Sequence, residues 1–262
     1  MADFLDTLIA DALETVHSGY YNVEAERHLP KLSLKEAIAK CKHAPIIAEI
    51  KPASPTSGML RKIACHVEVA KAMEAGGAVG ISVLTEPKHF AGSLECLTHV
   101  KQHTSLPVLM KDIIVDPVQV EAAASMGADA ILLIYPAFER NHLKHSLEYF
   151  IQLAHSKGLE VLLETHNEKE FAAAVKTEAD LIGINNRNLA TLQVDLNTTK
   201  AILSKRDANG KIVVSESGIR TAEDIRLLRT YGAEAFLVGS VIMLAENIEE
   251  KVRELVMAYD EG

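Results

Sequence analysis

The feature that most constrains this chain is an alternation of short apolar, β-rich runs with helical segments, repeated along most of its 262 residues. The runs recur at intervals of roughly 20 to 35 residues, which is the spacing that parallel strands with helical crossovers require. Eight strands are predicted: Ile46–Ile50, Val79–Leu84, Val108–Lys111, Ala130–Tyr135, Glu160–Glu164, Leu181–Ile184, Ile212–Ser215 and Ala235–Val238.

The helix boundaries between these runs are also marked in the sequence. Residues 74–78, 125–129 and 230–234 repeat one pattern, in which glycine precedes alanine just before a strand. A glycine there ends a helix because it adopts positive φ without steric cost. At the other end of a helix, Asp116 and Pro117 form a typical cap and first-turn proline. These signals favour eight strand-helix units.

Eight such units predict a (β/α)8 TIM barrel. The chain is expected to be one domain over residues 1–262, with residues 1–44 as an N-terminal helical extension. The alternative is a doubly wound open sheet. That fold usually has a glycine-rich turn after its first strand, whereas this chain has Lys51-Pro52-Ala53-Ser54 there. The barrel is therefore favoured.

Composition limits the partners of the chain. A formal net charge of −9 argues against general binding to nucleic acid or to an anionic membrane, since both favour a basic surface. Three cysteines without C-x-x-C spacing indicate a reducing, cytoplasmic location and neither a metal site nor a disulfide framework. No apolar run is long enough to span a bilayer. An anionic substrate would have to be held by a few local cations.

Charged residues end five of the eight predicted strands, and catalytic groups of parallel barrels lie at those ends. Glu49 and Lys51 are two apart, so they leave the same face of the first strand. Lys111 and Glu164 each directly end an apolar run. One such charge is usually solvated at the rim, but several together indicate a site. The full set of strand-end candidates is Glu49, Lys51, Lys111, Glu164, Asn185, Arg187, Glu216, Ser217, Gly239 and Ser240.

A phosphate site is predicted beside these charges. Ser217-Gly218 and Gly239-Ser240 follow the last two strands, where many barrels bind phosphate through backbone N–H groups. Lys51 and Ser54 would lie next to them across the closure of the barrel. A single glycine at a strand end more often only forms a turn, but two adjacent pairs favour an anion site.

Several motifs, in order, resemble the indole-3-glycerol phosphate synthase family. They cover the chain from about residue 45 to 245, and only their combination is specific. The matching segments are residues 48–55 (E-x-K-x-x-S-P), 84–93 with Phe90, 110–112 (K-D), 163–166 (E-x-H), 183–189 (G-I-N-x-R-x-L), 215–219 (E-S-G-I) and 238–243. Two positions depart from the family pattern: Ile113 stands where phenylalanine is frequent, and Tyr135-Pro136 stands at the end of the fourth strand. Phe90 or Phe138 is a candidate to replace the missing aromatic wall.

The resemblance implies a carbon-carbon lyase, a carboxy-lyase of tryptophan biosynthesis, that converts 1-(2-carboxyphenylamino)-1-deoxyribulose 5-phosphate into indole-3-glycerol phosphate with loss of CO₂ and water. No cofactor is expected, because the aniline nitrogen supplies the electrons. Lys111 is expected to be the acid of ring closure and Glu164 the general base, with Glu49 and Lys51 as a second acid and base pair in open order. A monomer or weak homodimer is expected.

The remaining roles follow from the same resemblance. Asn185, Arg187, Glu216 and Phe90 are expected to bind the substrate body, and Ser54, Ser217, Gly218, Gly239 and Ser240 its phosphate.

Two other functions stay open at this stage. Lys111 could form a Schiff base in an isomerase or aldolase of another sugar phosphate. The chain could also be a silent barrel acting as a partner subunit, although such a subunit would be expected to lose the strand-end charges.

Overall fold

Eight parallel strands close into a barrel. In the computed structural model the barrel strands, β1 to β8, pair in chain order, and β8 hydrogen bonds back to β1. They span Ile46–Ile50, Gly80–Leu84, Val108–Lys111, Ala130–Ile134, Glu160–Thr165, Leu181–Asn185, Ile212–Glu216 and Ala235–Val238. The predicted (β/α)8 barrel is therefore confirmed, and the open doubly wound sheet is wrong because the sheet closes on itself.

The structure describes residues 3–24, 30–54, 58–63, 65–140 and 143–260. Within these ranges the helices α1 to α12 are Phe4–His17, Leu34–Lys40, His66–Ala75, Leu94–His103, Pro117–Ser125, Tyr135–Glu139, Leu147–Ser156, Glu168–Ala174, Asn197–Leu203, Ala222–Thr230, Ser240–Leu244 and Ile248–Val256. A 3-10 turn, Met257–Tyr259, follows α12. A two-stranded antiparallel ribbon, Ala53–Ser54 with Gly58–Met59, lies after β1. Residues 55–57, which include the proline of the first family motif, lie outside the described ranges.

Side chains of the barrel strands alternate between two apolar layers. On β1, Ile46 and Ala48 belong to the cluster beneath the outer helices, whereas Ile47 belongs to the cluster inside the barrel. Leu109, Leu132, Leu162, Leu181, Val214 and Leu237 share that inner cluster. Because successive side chains alternate across a strand, Glu49 and Lys111 continue the inward-facing rows at the carboxyl ends of β1 and β3.

The predicted cap at Asp116 is confirmed, and two further helices begin with side-chain caps. Asp116 and Thr221 each form a capping box, and the Asn167 side chain accepts N–H bonds at the start of α8. Gly77, Gly127 and Gly232 have positive φ before the next strand. Five predicted strand boundaries are off by one residue: β2 begins at Gly80, β5, β6 and β7 extend to Thr165, Asn185 and Glu216, and β4 ends at Ile134. At β4, Tyr135 begins α6, because Pro136 occupies the first turn of that helix, where its missing N–H costs nothing.

Two helices precede the barrel and pack at its opposite ends. Helix α1 crosses the carboxyl-end face, where Asp11 lies 2.7 Å from His89 Nε2 in the loop after β2 and Asp3 lies 2.6 Å from Arg140 after α6. Helix α2 packs at the amino end, where the cap residue Ser33 hydrogen bonds to Glu160, the first residue of β5. The extension therefore contributes to both faces of the barrel.

A buried ion pair at the amino end offers a test of the packing. Lys101 Nζ lies 2.6 Å from Asp129, with side chains 4% and 0% exposed. Replacing Lys101 with methionine leaves a buried carboxylate whose charge is no longer neutralised, so we expect the free energy of unfolding to fall by about 3 kcal/mol. Catalysis should be unchanged, because Asp129 precedes β4 and lies far from the carboxyl ends.

Urea unfolding of Lys101→Met and of a control with an exposed lysine replaced, Lys71→Met, measures this effect. A loss no larger than that of the control would contradict the expected contribution of the pair.

Candidate active site

The carboxyl ends of four strands bring one ammonium group among three carboxylates. Lys111 Nζ, at the end of β3, lies 3.8 Å from Glu164 Oε2 on β5. It lies 4.0 Å from Glu49 Oε2 on β1 and 4.0 Å from Glu216 Oε2 on β7. All four side chains are at most 18% exposed. The predicted convergence of Lys111 and Glu164 is therefore present, while their chemical roles stay predictions.

Two glycines on neighbouring strands make room for these carboxylates. A Cβ atom on Gly183 in β6 would overlap a carboxylate oxygen of Glu216, and one on Gly239 after β8 would overlap an oxygen of Glu49. A side chain at either position would push its carboxylate away from Lys111. Gly239 is also a predicted phosphate residue, and it lies against Glu49 as well.

The cluster shifts the ionisation of its own members. Burial alone would lower the pKa of Lys111, but Glu164, Glu49 and Glu216 outweigh it and raise that pKa to about 12. Burial opposes the charge on Glu49 too, yet Lys51, 2.5 Å away, and Lys111 hold its pKa below the ordinary value. The resting site therefore has a protonated Lys111 beside an ionised Glu49 at neutral pH.

Glu164 and Glu216 shift in opposite directions. Burial opposes the charge on Glu164, but the neighbouring His166 and Lys111 lower its pKa well below the usual range. Burial and the negative charges of Glu164 and Glu49 raise the pKa of Glu216, whose carboxylate oxygens are buried without a hydrogen-bond partner among the described residues. Near neutral pH, Glu164 is therefore an ionised carboxylate, whereas Glu216 is a protonated carboxylic acid.

Two cavities meet at the charged cluster. The first, the apolar pocket, is lined in part by Phe4, Leu8, Leu84, Phe90, Ile113, Leu132, Ile134 and Leu189. The second, the polar cleft, is lined in part by Gly218, Arg220, Gly239, Ser240 and Val241. Both are bounded by Glu49, Lys51, Lys111, Arg187, Leu192 and Ser217. The site thus has an apolar end, a charged centre and a second end that includes Gly218, Gly239 and Ser240.

Four of the five predicted phosphate residues line the polar cleft, namely Ser217, Gly218, Gly239 and Ser240. Ser217 and Gly218 both have positive φ, with values of 66° and 85°. The fifth, Ser54, lines the apolar pocket and is not among the described residues of the polar cleft. Ser54 belongs to the ribbon after β1, which turns towards Phe90: the Ala53 N–H donates to the Phe90 carbonyl at 3.3 Å.

The predicted substrate-binding residues bound the same space. The Asn185 side chain accepts the Arg187 backbone N–H at 2.9 Å, and Arg187 Nη1 donates to the Leu192 carbonyl at 2.9 Å. Phe90 is presented by a loop in which the buried Glu86 carboxylate accepts the N–H groups of residues 88, 89 and 90. Asn185, Arg187 and Phe90 therefore have fixed backbones at the mouth of the barrel.

Some lining residues were missed by sequence reasoning. Phe4 and Leu8 come from α1, whose amphipathic pattern marks an apolar face but not what that face covers. Leu132 and Ile134 lie on β4, where every residue is apolar and the alternation that would reveal the inward side chains is absent. Phe138 packs edge to face on Phe150 and is not among the described lining residues, so of the two candidate aromatic walls only Phe90 lines the pocket.

The fold and the strand-end cluster define a (β/α)8-barrel enzyme with acid-base groups at the carboxyl ends of its strands. Solved structures agree on the fold: thiamine phosphate pyrophosphorylase from Pyrococcus furiosus has a TM-score of 0.63 at 19% identity, over 87% of this chain and 98% of that chain. N-acetylmannosamine-6-phosphate 2-epimerase from Clostridium perfringens has a TM-score of 0.62 at 15% identity, over 82% and 93%. These likenesses concern the fold alone.

Sequence comparisons identify the family. The family model of indole-3-glycerol phosphate synthase matches residues 6–255. Two relatives carry that name, from Methanocaldococcus jannaschii (44% identity, 90% of this chain and 86% of the relative) and from Neisseria meningitidis serogroup C (39% identity, 97% and 100%). The chain belongs to the indole-3-glycerol phosphate synthase family. In the described ranges, no helix is long and apolar enough to cross a membrane.

The raised pKa of Glu216 predicts a pH-dependent cost to folding. As the pH rises above the ordinary value of 4.5, the unfolded carboxyl loses its proton while the folded one keeps it, so the folded state loses stability. Glu216→Gln removes this cost. We expect the variant to match the wild type at pH 5 and to exceed its free energy of unfolding by about 2 kcal/mol at pH 8.

Urea unfolding at both pH values measures the difference, with the exposed-residue variant Glu178→Gln as the control. A stability gap that does not grow between pH 5 and pH 8 would contradict the raised pKa.

Proposed function

We propose that the strand-end cluster carries out the reaction of this family with Lys111 as the acid of ring closure and Glu164 as the general base. As a member of the family, the chain is a carboxy-lyase that forms indole-3-glycerol phosphate in tryptophan biosynthesis. The substrate is 1-(2-carboxyphenylamino)-1-deoxyribulose 5-phosphate. Its aryl carbon attacks the ketone, and CO₂ and water then leave.

The observation that carries the assignment of residues is the order of the three parts of the site. The substrate has an aryl ring at one end, a phosphate at the other and a ketone between them. The apolar pocket, the charged cluster and the polar cleft follow in the same order. A substrate seated along this line would place its ketone among Lys111, Glu49 and Glu164, where the acid and base groups lie.

Lys111 has the properties that the first step requires. The aryl carbon can attack the ketone only if the developing negative charge on the ketone oxygen is neutralised. A lysine surrounded by three acidic side chains keeps its proton at neutral pH and is held in place on several sides. Its proton would pass to the ketone oxygen as the new carbon-carbon bond forms.

Glu164 would act after that transfer. While Lys111 is charged, Glu164 is a weak base because two cations flank it. Once Lys111 has given up its proton, one of those positive charges disappears, and the carboxylate becomes more basic. Glu49 and Lys51, only 2.5 Å apart, are proposed as the second acid and base pair: in the dehydration this pair protonates the leaving hydroxyl group, and Glu164 accepts the proton lost from the neighbouring carbon.

The other residues would hold the substrate. Arg187 borders both cavities, so it suits the anthranilate carboxylate, with Asn185 orienting the sugar hydroxyls. Phe90 would pack on the aryl ring opposite Ile113. A protonated Glu216 could donate to a hydroxyl. The phosphate is proposed to bind Ser217, Gly218, Gly239 and Ser240, with Ser54 near the pocket side.

The setting of the reaction is also a proposal. Three free cysteines suit a reducing compartment, so we propose the cytoplasm. We propose a monomer or weak homodimer, because α1, which borders the apolar pocket, belongs to the same chain as the barrel and no second copy is needed to supply it.

The role of Lys111 is tested by Lys111→Ala. Without the acid we expect turnover to fall by about two orders of magnitude or more. The variant should still fold, but with a lower unfolding midpoint, because three buried carboxylates lose the cation that they share. Indole fluorescence reports product against a protein that has no tryptophan. Lys35→Ala, on the exposed face of α2, is the matched control.

Near-wild-type turnover in Lys111→Ala would remove Lys111 from its role. Borohydride added with substrate tests the Schiff-base alternative: we expect no covalent adduct on Lys111, and trapping one would favour that alternative.

The phosphate site is tested by adding a negative charge to it. Ser240→Asp should raise KM at least about 10-fold and change kcat less, because the added carboxylate repels the phosphate. Asn209→Asp adds the same charge in a turn before β7, at the opposite end of the barrel, and should leave KM unchanged. Equal effects in the two variants would contradict the proposed phosphate position.

A further inference from the structure

His166 is largely buried beside the charged cluster, but it borders neither cavity among the described lining residues. Its ring lies between two carboxylates. Nε2 is 3.1 Å from Glu164 Oε1, and Nδ1 is 3.4 Å from Glu170 Oε2. Both ring nitrogens are buried and lie within ion-pair distance of a carboxylate. The histidine therefore touches the proposed base without reaching the substrate space.

Glu170 is a rigid partner for this ring. Its Oε2 accepts the backbone N–H of His166 at 2.7 Å, and its Oε1 accepts from the Asn167 side chain, which caps α8. Glu170 is buried at the start of that helix. A carboxylate held by both a backbone group and a helix cap cannot follow the imidazole if the ring moves.

The Glu164 carboxylate is thus held from two sides. Oε1 faces His166 and Oε2 faces Lys111, 3.8 Å away. We propose that His166 is a positioning residue: as an imidazolium between Glu164 and Glu170, it aims Glu164 at Lys111 and keeps that carboxylate ionised. This inference rests on the proposed role of Glu164 as the base.

The electrostatic surroundings favour the charged ring. Burial alone would lower the pKa of His166, but the carboxylates of Glu164 and Glu170 raise it to about 9. Glu216 on β7 adds a further acidic group in the neighbourhood, and Lys111 on β3 stands beyond Glu164. On α6, Glu139 is paired with Lys169 at 3.0 Å. Two carboxylates in direct contact outweigh the more distant lysine.

His166→Asn removes the positive charge and keeps a polar side chain. We expect kcat to fall about 10- to 100-fold, because a misplaced catalytic group loses that much, while KM stays within about two-fold. Without the imidazolium, the pKa of Glu164 rises, so the acidic limb of the kcat/KM profile should move to higher pH by about one unit or more. The unfolding midpoint should also fall, because two buried carboxylates lose the cation between them, so the pH profile and not the midpoint is the decisive readout.

A second variant acts on the other side of the ring. Glu170→Gln keeps an oxygen for the His166 backbone N–H but removes the negative charge, so His166 should lose its proton at lower pH. The basic limb of the kcat/KM profile should therefore move to lower pH by about one unit. His155→Asn is the matched control, since His155 Nε2 lies 2.9 Å from Asp180 on the exposed surface and should affect neither limb.

Wild-type kcat and pH profile in His166→Asn would overturn the proposal. A lower kcat together with a lower unfolding midpoint, with neither limb of the pH profile moved, would also overturn the proposal. That result is expected of a residue that only stabilises the fold. If His166→Asn does not fold, Glu170→Gln decides, and a wild-type profile there overturns the proposal. Glu164→Gln in the same assay tests the proposed role of Glu164 separately from that of His166: if this variant keeps wild-type turnover, the role of Glu164 itself is wrong.

Discussion

The site depends on the balance of charge around Lys111. Three carboxylates approach one ammonium group in the mouth of the barrel, where all four side chains are at most 18% exposed, and a single positive charge cannot offset three negative ones there. Two further cations decide the outcome, because Lys51 contacts Glu49 and His166 contacts Glu164. Among the described ion pairs of Glu216, Lys111 is the only cation, and Glu216 shares it with Glu49 and Glu164. Glu216 is therefore the carboxyl group that keeps a proton.

The barrel supports this cluster by shape as well as by charge. Each charged side chain continues an inward-facing row whose lower members are apolar, such as Leu109 beneath Lys111 and Val214 beneath Glu216. The floor beneath the charges is apolar, and Gly183 and Gly239 leave space that any larger residue would fill. The same strands that form a stable core therefore hold the acid and base groups at fixed separations, which a flexible loop could not do.

Most of the fold was predictable because its signals are local. The bounds of β1, β3 and β8 agree with their predicted ranges, since each is a short apolar run between clear breakers. Prediction failed at Tyr135, which extends an apolar run and yet begins a helix. It also missed that α1 borders the pocket, because an amphipathic helix shows which face is buried but not against what.

The sequence by itself determined which residues lie at the carboxyl ends of the strands, because the two-residue alternation and the helix caps are patterns of residues that are close together in the sequence. Only the tertiary structure decided how near those residues come to one another, which of Glu164 and Glu216 is ionised, and that Ser54 faces the pocket and not the cleft. These properties depend on closing the barrel and on burial, which join segments far apart in the chain and leave no local pattern.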